Sequence, residues 1–303
     1  MITPRIAARA LDTPLMIHAG KAMAILQGLG GRLAAGGIVL PEGQAVRHVA
    51  FEGGRPSMGV IGDRLGRSVA RHGRKPYDMV GNVAVIPIEG TLVHKGAWLE
   101  SDSGETSYQG IQTQVAAAGR DASVAGVVFE VDSFGGEVSG AFQTADMISA
   151  LSKAKPTIAI FTDNGLSSGY LLGAAARQVI VPETGAAGSI GVITIHTDMS
   201  AALDRAGLKV TILAAGAHKA DFNPAAPLPE DVAARIRAEL EGVREAFAGR
   251  VASYRGKRLT YERAMATEAL IYRGAAAVTA GLADATGHPQ EAFQAFVSTL
   301  NRA

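Results

Sequence analysis

The hydrophobic pattern of this chain changes character near residue 76. Before that point apolar residues show little periodicity, apart from spacing that allows a short helix over 14–29, and glycine and proline interrupt the residues between that helix and Pro76. From Asn82 the pattern is that of buried strands. Val83, Val85, Ile86 and Ile88 predict a strand ending at Gly90, and the apolar run 125–131 predicts a second. Further strands are expected at 157–161, 179–181, 190–195 and 208–213. Helical spacing appears between them. Over 139–153, Phe142, Ala145, Ile148 and Leu151 recur at three-residue steps, and 170–177 is almost wholly apolar. A helix is also expected at 200–206. The longest helix is predicted over 229–254, with Val232, Ile236, Leu240, Val243, Phe247 and Val251 on one stripe and Pro229 in the first turn. Residues 95–109, with Asp102, Ser103, Gly104 and Glu105, read as a polar surface loop able to cover a cleft. Strands alternating with helices argue for an α/β fold with a mainly parallel sheet.

Composition narrows the function classes. With 303 residues, 48% hydrophobic and 19% charged, the chain is globular and long enough for a large core. A net charge of +1 gives no electrostatic reason to expect a nucleic-acid partner. Cysteine is absent, which excludes thiol catalysis, disulfides and thiolate metal sites. The seven histidines, His18, His48, His72, His94, His196, His218 and His288, have no metal-ligand spacing, so neither a metal nor another cofactor is expected. The first residues, MITPRIAARALDTPL, lack the apolar core of a signal peptide, and no apolar run approaches the ~20 residues of a membrane span. The expectation is a soluble, cytoplasmic protein with no membrane partner. The basic stretch RLGRSVARHGRK at 64–75 reads as a solvated linker, and a loose boundary falls near Pro76.

The candidate chemistry lies in three glycine-rich turns beside strand ends: Gly135-Gly136, Gly165 to Gly169, and Gly188-Ser189-Ile190-Gly191. The second reads NGLSSGYLLGAAA, a serine pair between a strand and a helix. There, free amides at the helix start can receive a developing negative charge. Adjacent glycines let a backbone amide approach a substrate carbonyl unobstructed. Taken singly, each is also an ordinary tight turn. A serine nucleophile needs a base, and two kinds are available. Gly165-Leu166-Ser167-Ser168-Gly169 fits the G-x-S-x-G elbow of Ser/His hydrolases, with His288 as a downstream histidine. Lys219, in AAGAHKAD after a predicted strand and among small residues, is the other. A lysine base must be neutral, which burial among such neighbours would favour.

The runs DSFGGEVSGA, LSSGYLLGAAA, PETGAAGSIGVI and AAGAHKAD occur in this order and approximate spacing in the signal peptide peptidase A family of serine/lysine proteases. The chain resembles that family over about residues 80–287, including a late segment from Tyr272-Arg273-Gly274 to Gly281-Leu282-Ala283-Asp284. Within the family it is most similar to the soluble phage and prophage branch of head and capsid-assembly proteases. The resemblance implies the spiral ββα fold shared with ClpP and the crotonases. It also implies a peptidase domain over 77–287 between an N-terminal segment, 1–76, of unclear role and a C-terminal helix or tail, 288–303. Ser167 then corresponds to the nucleophile, Lys219 to the general base, and Ser189 to the serine that orients the lysine. Gly135, Gly136 and Ser168 correspond to the oxyanion-hole amides. Two positions depart from the pattern: Ser168 replaces a glycine, which leaves it open as the attacking residue, and Phe134 replaces a proline. The implied partners are scaffold or capsid proteins as substrates and further copies of the chain. A crotonase-like acyl-CoA enzyme, a Ser/His hydrolase and a catalytically inactive assembly protein are the alternatives.

Overall fold

The computed structural model describes residues 14–17, 64–71, 75–96, 99 and 104–301. Alternation along the long strands sorts the core into two layers. In β5 (Gly126–Glu137) Val127, Phe129 and Val131 face one apolar cluster and Val128 faces another. In β6 (Thr157–Leu166) Ala159 and Phe161 take the first side, Ile158 and Ile160 the second. The sheet is therefore buried on both faces, as a parallel sheet requires.

Its strand order, in chain-order labels, is β10-β7-β6-β5-β3-β2. β3 (Val83–Val93), β5, β6, β7 (Gln178–Val181) and β10 (Ala285–Thr286) run parallel, and β2 (Asp78–Val80) is an antiparallel edge. The larger cluster is covered by α2 (Tyr108–Arg120), α3 (Ala141–Ala154), α4 (Ser168–Ala174) and α6 (Glu230–Arg255). The smaller is closed by the terminal helix α9 (Pro289–Leu300), through Phe293, Phe296, Val297 and Leu300. This is the mainly parallel α/β class expected.

Irregularities mark where the sheet changes partners. Register shifts between Glu89 and Thr91 in β3 and between Val131 and Ser133 in β5 divide each strand in two. Beyond them the strand ends pair with short elements. β1 (Leu15–Ile17) runs antiparallel to β5, and β4 (Glu105–Ser107) runs parallel to β3. β8 (Ala186–Gly188) pairs with the end of β6 and with β9 (Ile271–Arg273).

Several expectations are corrected. The strands expected to stop at Gly90, residue 131 and residue 161 continue to Val93, Glu137 and Leu166, so Gly135-Gly136 belongs to a strand. Residues 64–71 form helix α1 (Arg64–Arg71), with Leu65 buried, rather than a linker. Residues 15–17 are a strand where a helix was expected; the rest of that helix, with most of segment 1–76, lies outside the described residues. So do Asp102 and Ser103 of the expected loop, whose later part is β4 and the start of α2. Helix α2 was not foreseen, although Tyr108, Ile111, Val115 and Ala118 give it an apolar face and Ser107 caps it by accepting the Gly110 N–H at 2.9 Å. No strand forms at 190–195, where Ile193 alone bridges to Leu15, or at 208–213. The helices at α3, α5 (Ser200–Arg205) and α6 are close to their expected bounds.

One buried ion cluster ties the last segments to the sheet. Arg255, at 1% exposure, donates to both oxygens of Asp284 at 2.9 and 3.1 Å, Arg258 adds a contact at 2.9 Å, and Asp284 accepts the Val179 N–H at 2.7 Å. Burial pushes the Asp284 carboxyl up, but the Arg255 guanidinium, the Val179 N–H and Arg258 outweigh it and hold it below the ordinary carboxylate range. A depressed folded-state value stabilises the fold above the unfolded value of about 3.9, and that stabilisation is lost as pH falls through the lower folded value. Asp284→Asn, which leaves Arg255 a buried cation without its counter-ion, should cost about 3–5 kcal/mol at neutral pH. Urea unfolding at a series of pH values should show the parent losing stability below about pH 4 and the variant losing less over the same range.

Candidate active site

Ser167 stands at the junction of β6 and α4. Pairing of Asn164–Leu166 with Ala186–Gly188 carries β6 to its last residue. The Ser167 N–H then donates to the Gly188 carbonyl at 2.9 Å, and the Ser167 carbonyl accepts the Leu171 N–H at 2.9 Å. These two bonds hold the serine at φ 54°, ψ −122°, a left-handed setting that costs a non-glycine residue of order 1–3 kcal/mol. The side chain is fully buried and its hydroxyl has no hydrogen-bond partner, a further cost of about 1–3 kcal/mol. Ser168, also buried, opens α4, so its N–H has no acceptor within the helix.

The end of β5 lies against this turn. Gly135 has φ 99°, and a Cβ there would collide with the Met16 carbonyl and sit 2.8 Å from Ser167 Cβ. Only glycine fits. Its N–H donates to Ser133 Oγ at 3.1 Å, and that hydroxyl donates to the Gly90 carbonyl at 2.6 Å. Ser133 also meets the helix start, its Cβ 2.9 Å from where a Cβ on Gly169 would be. Behind the turn, Tyr170 is fixed by an edge-on contact with Phe161 at 6.4 Å and by its hydroxyl donating to the Leu282 carbonyl at 3.1 Å.

Ser189 follows the Gly188 that anchors Ser167. It is buried, sits at φ 57°, and donates its N–H to Leu270 O at 3.0 Å. Ser167, Ser168, Ser189, Gly135 and Gly136 thus gather at one end of the sheet. Lys219 does not join them. It is exposed, on an arm whose ends are pinned by the Met199 N–H to Pro224 O at 2.8 Å and by His196 Nε2 against Asn223 O at 2.9 Å. Beside it Asp221 holds His218 at 3.0 Å and pairs with Arg235 of α6. His288 is exposed at the start of α9, and neither base candidate bonds to the Ser167 hydroxyl. The expected burial of Lys219 is therefore not met in the single chain. The strand that was to precede it lacks a sheet partner.

Residues 149–301 match the description Peptidase family S49. The chain belongs to peptidase family S49. It is 34% identical to Capsid assembly protease C of Escherichia phage lambda over 281 residues, which cover 93% of this chain and 62% of that protein. It is also 34% identical to Head-tail preconnector protein GP5 of Enterobacteria phage P21 over 296 residues, covering 98% of this chain and 57% of that protein. The chain thus spans about three fifths of the length of these relatives. Among solved structures it is similar to an enoyl-CoA hydratase from Shewanella pealeana, with a TM-score of 0.43, 10% identity, and 74% of this chain and 72% of that one covered.

Two features of this S49 chain escaped the sequence reading. Ser133 sits inside the DSFGG run, yet nothing local marked it as the residue that joins β3, the glycine pair and α4. The approach of Leu15–Ile17 to the same glycines depends on a pairing no spacing rule detects. The strain and the lone hydroxyl at Ser167 have a measurable consequence. Ser167→Gly removes both, and should raise the unfolding free energy by about 1–3 kcal/mol in urea titration.

Proposed function

We propose that this chain is a serine endopeptidase in which Ser167 attacks a peptide carbonyl, Lys219 removes its proton and Ser189 orients the lysine. The observation that carries this reading is the Ser167 hydroxyl: buried, without a partner, and on a strained strand-to-helix turn beside a glycine that cannot carry a side chain. Backbone strain and an unsatisfied buried hydroxyl at one residue are costs a fold keeps where the residue works. The attack converts the carbonyl to an oxyanion held by backbone N–H groups of the Gly135-Gly136 strand end and of Ser168 at the start of α4. Collapse expels the amine, protonated by the lysine, and leaves an acyl-serine. Water, activated by the same lysine, then releases the acid. Ser167 is favoured over Ser168 because it alone has the left-handed backbone and the close approach to Gly135.

The arm bearing Lys219 gives the reading its second requirement. Leu208, Val210, Ile212 and Leu213 precede the lysine and are exposed by 58, 51, 48 and 92%. A β-branched run left in water is a surface awaiting cover. A second copy of the chain, placing this arm against the serine end of a sheet, would bury the run and desolvate the lysine together. The relatives named for capsid assembly and head–tail connection support substrates among the scaffold or capsid proteins of a phage head, and a site of action in the host cytoplasm or the assembling head.

Co-expression with the neighbouring capsid protein and mass spectrometry of the products tests the chemistry. Ser167→Ala and Lys219→Ala should each lower cleavage at least ~10³-fold, while Ser168→Ala and His288→Ala should keep it within about tenfold. Cleavage that survives Lys219→Ala but not His288→Ala would replace the lysine by a histidine base. The arm makes a separate claim. Val210→Lys with Ile212→Glu should shift the chain towards monomer in light scattering and abolish cleavage in parallel.

A further inference from the structure

If Ser167 is the nucleophile, the structure shows it closed. The residue has no exposed surface, so no substrate carbonyl reaches it in this arrangement. The element laid against it is β1, and the way β1 is held is informative. Leu15–Ile17 enters between two segments that flank the serine. On one side it runs antiparallel to the glycine end of β5, with Met16 opposite Gly136 and Ile17 opposite Gly135. On the other, Leu15 exchanges both backbone hydrogen bonds with Ile193, at 2.7 and 2.9 Å. Strand alternation then turns the polar backbone of Met16 towards β5. Its carbonyl lies over Gly135, at the point where a Cβ would also meet Ser167. The side chains divide likewise: Met16 is fully buried in the main core, whereas Leu15 and Ile17 pack on Ile193 and Ile195.

An extended peptide bonded through its main chain on both edges, with one side chain in an apolar pocket and a carbonyl beside the serine, has the binding mode of a peptide substrate. β1 contributes three residues, all of them at this site. A permanent strand there would leave the serine without access. We infer that Leu15–Ile17 is an intramolecular strap occupying the substrate's strand position, so that the resting chain is self-inhibited and β1 must leave before cleavage. The inference rests on the peptidase reading above. It deepens that reading in one respect: the pocket filled by Met16 is the one a substrate's apolar, unbranched side chain enters. The strap is part of the same chain, so a substrate must displace a competitor that never diffuses away.

The test uses the full chain and a serine-reactive fluorophosphonate, with the rate of labelling at Ser167 followed by mass spectrometry. Met16→Asp places a carboxylate in a buried apolar position, and Leu15→Pro deletes the N–H given to Ile193. Each variant should label about tenfold faster or more than the parent, the scale of a few main-chain hydrogen bonds lost. The free peptide TPLMIHA (residues 13–19) should return the variants towards the parental rate, and the same peptide with aspartate for its methionine should not. Equal rates in all three chains with unchanged melting would overturn the strap and leave the peptidase reading standing. Loss of fold in both variants would make β1 a permanent strand and overturn it as well. No labelling of Ser167 in any chain would remove the peptidase reading, and the strap with it.

Discussion

A pair of backbone hydrogen bonds, Ser167 to Gly188 and Leu171 to Ser167, sets the geometry on which the rest of this site depends. A serine left to itself avoids positive φ, and only a backbone clamped from both sides keeps it there. The clamp joins a strand that has just changed neighbours to a helix that has just begun. Both conditions exist because β6 extends past its main sheet pairing to meet β8. The absent Cβ at Gly135 leaves room for a side chain in that fixed position.

The two register shifts explain why the site is where it is. Below them β3, β5 and β6 form an ordinary parallel ladder whose amides and carbonyls are consumed by neighbouring strands. Above them the pairing resumes in a shifted register, at Thr91–Gly135 and Leu92–Gly136, and the Gly135 N–H donates to a side chain, the Ser133 hydroxyl. A donor held by one hydroxyl can be reassigned at far lower cost than one locked in a sheet. The shift thus gives the Gly135 N–H an acceptor that can release it without unravelling the core.

The lower half of the sheet was legible in the sequence because its determinants are local. Val83 to Ile88, residues 125–131 and 157–161, and the stripe on α6 carry the periods of the elements they form. The upper half was not, because its pairings are long-range. Leu15, Met16 and Ile17 are three consecutive apolar residues, equally suited to a helix, and only their contact with Gly135–Glu137 makes them a strand. Residues 190–195 and 208–213 show the opposite error. Their β-branched composition reports a need for cover, and propensity cannot specify whether that cover comes from the chain's own sheet. The same division separates the site residues. The turns that hold Ser167, Ser189 and the glycines stood out locally as glycine-rich segments beside strand ends, while the roles proposed for those residues came from resemblance to a family. Lys219 was singled out by small neighbours after an expected strand and by the same resemblance, and its surroundings depend on an arm that the single chain leaves in water.

The hydroxyl of Tyr170, three residues beyond the serine, is bonded to the carbonyl of Leu282, and Asp284 and β10 fasten the same late segment to β7. The first turn of α4 is therefore completed by residues made more than a hundred positions later. On the ribosome the central strands β3, β5, β6 and β7 emerge well before that segment does. A nascent chain can thus pair β3, β5, β6 and β7 with the serine turn still unbraced, and the bracing arrives only when Leu282 to Thr286 have left the exit tunnel. Timing of this kind would keep the Ser167 turn unfinished until that segment has emerged, a form of restraint written into chain order.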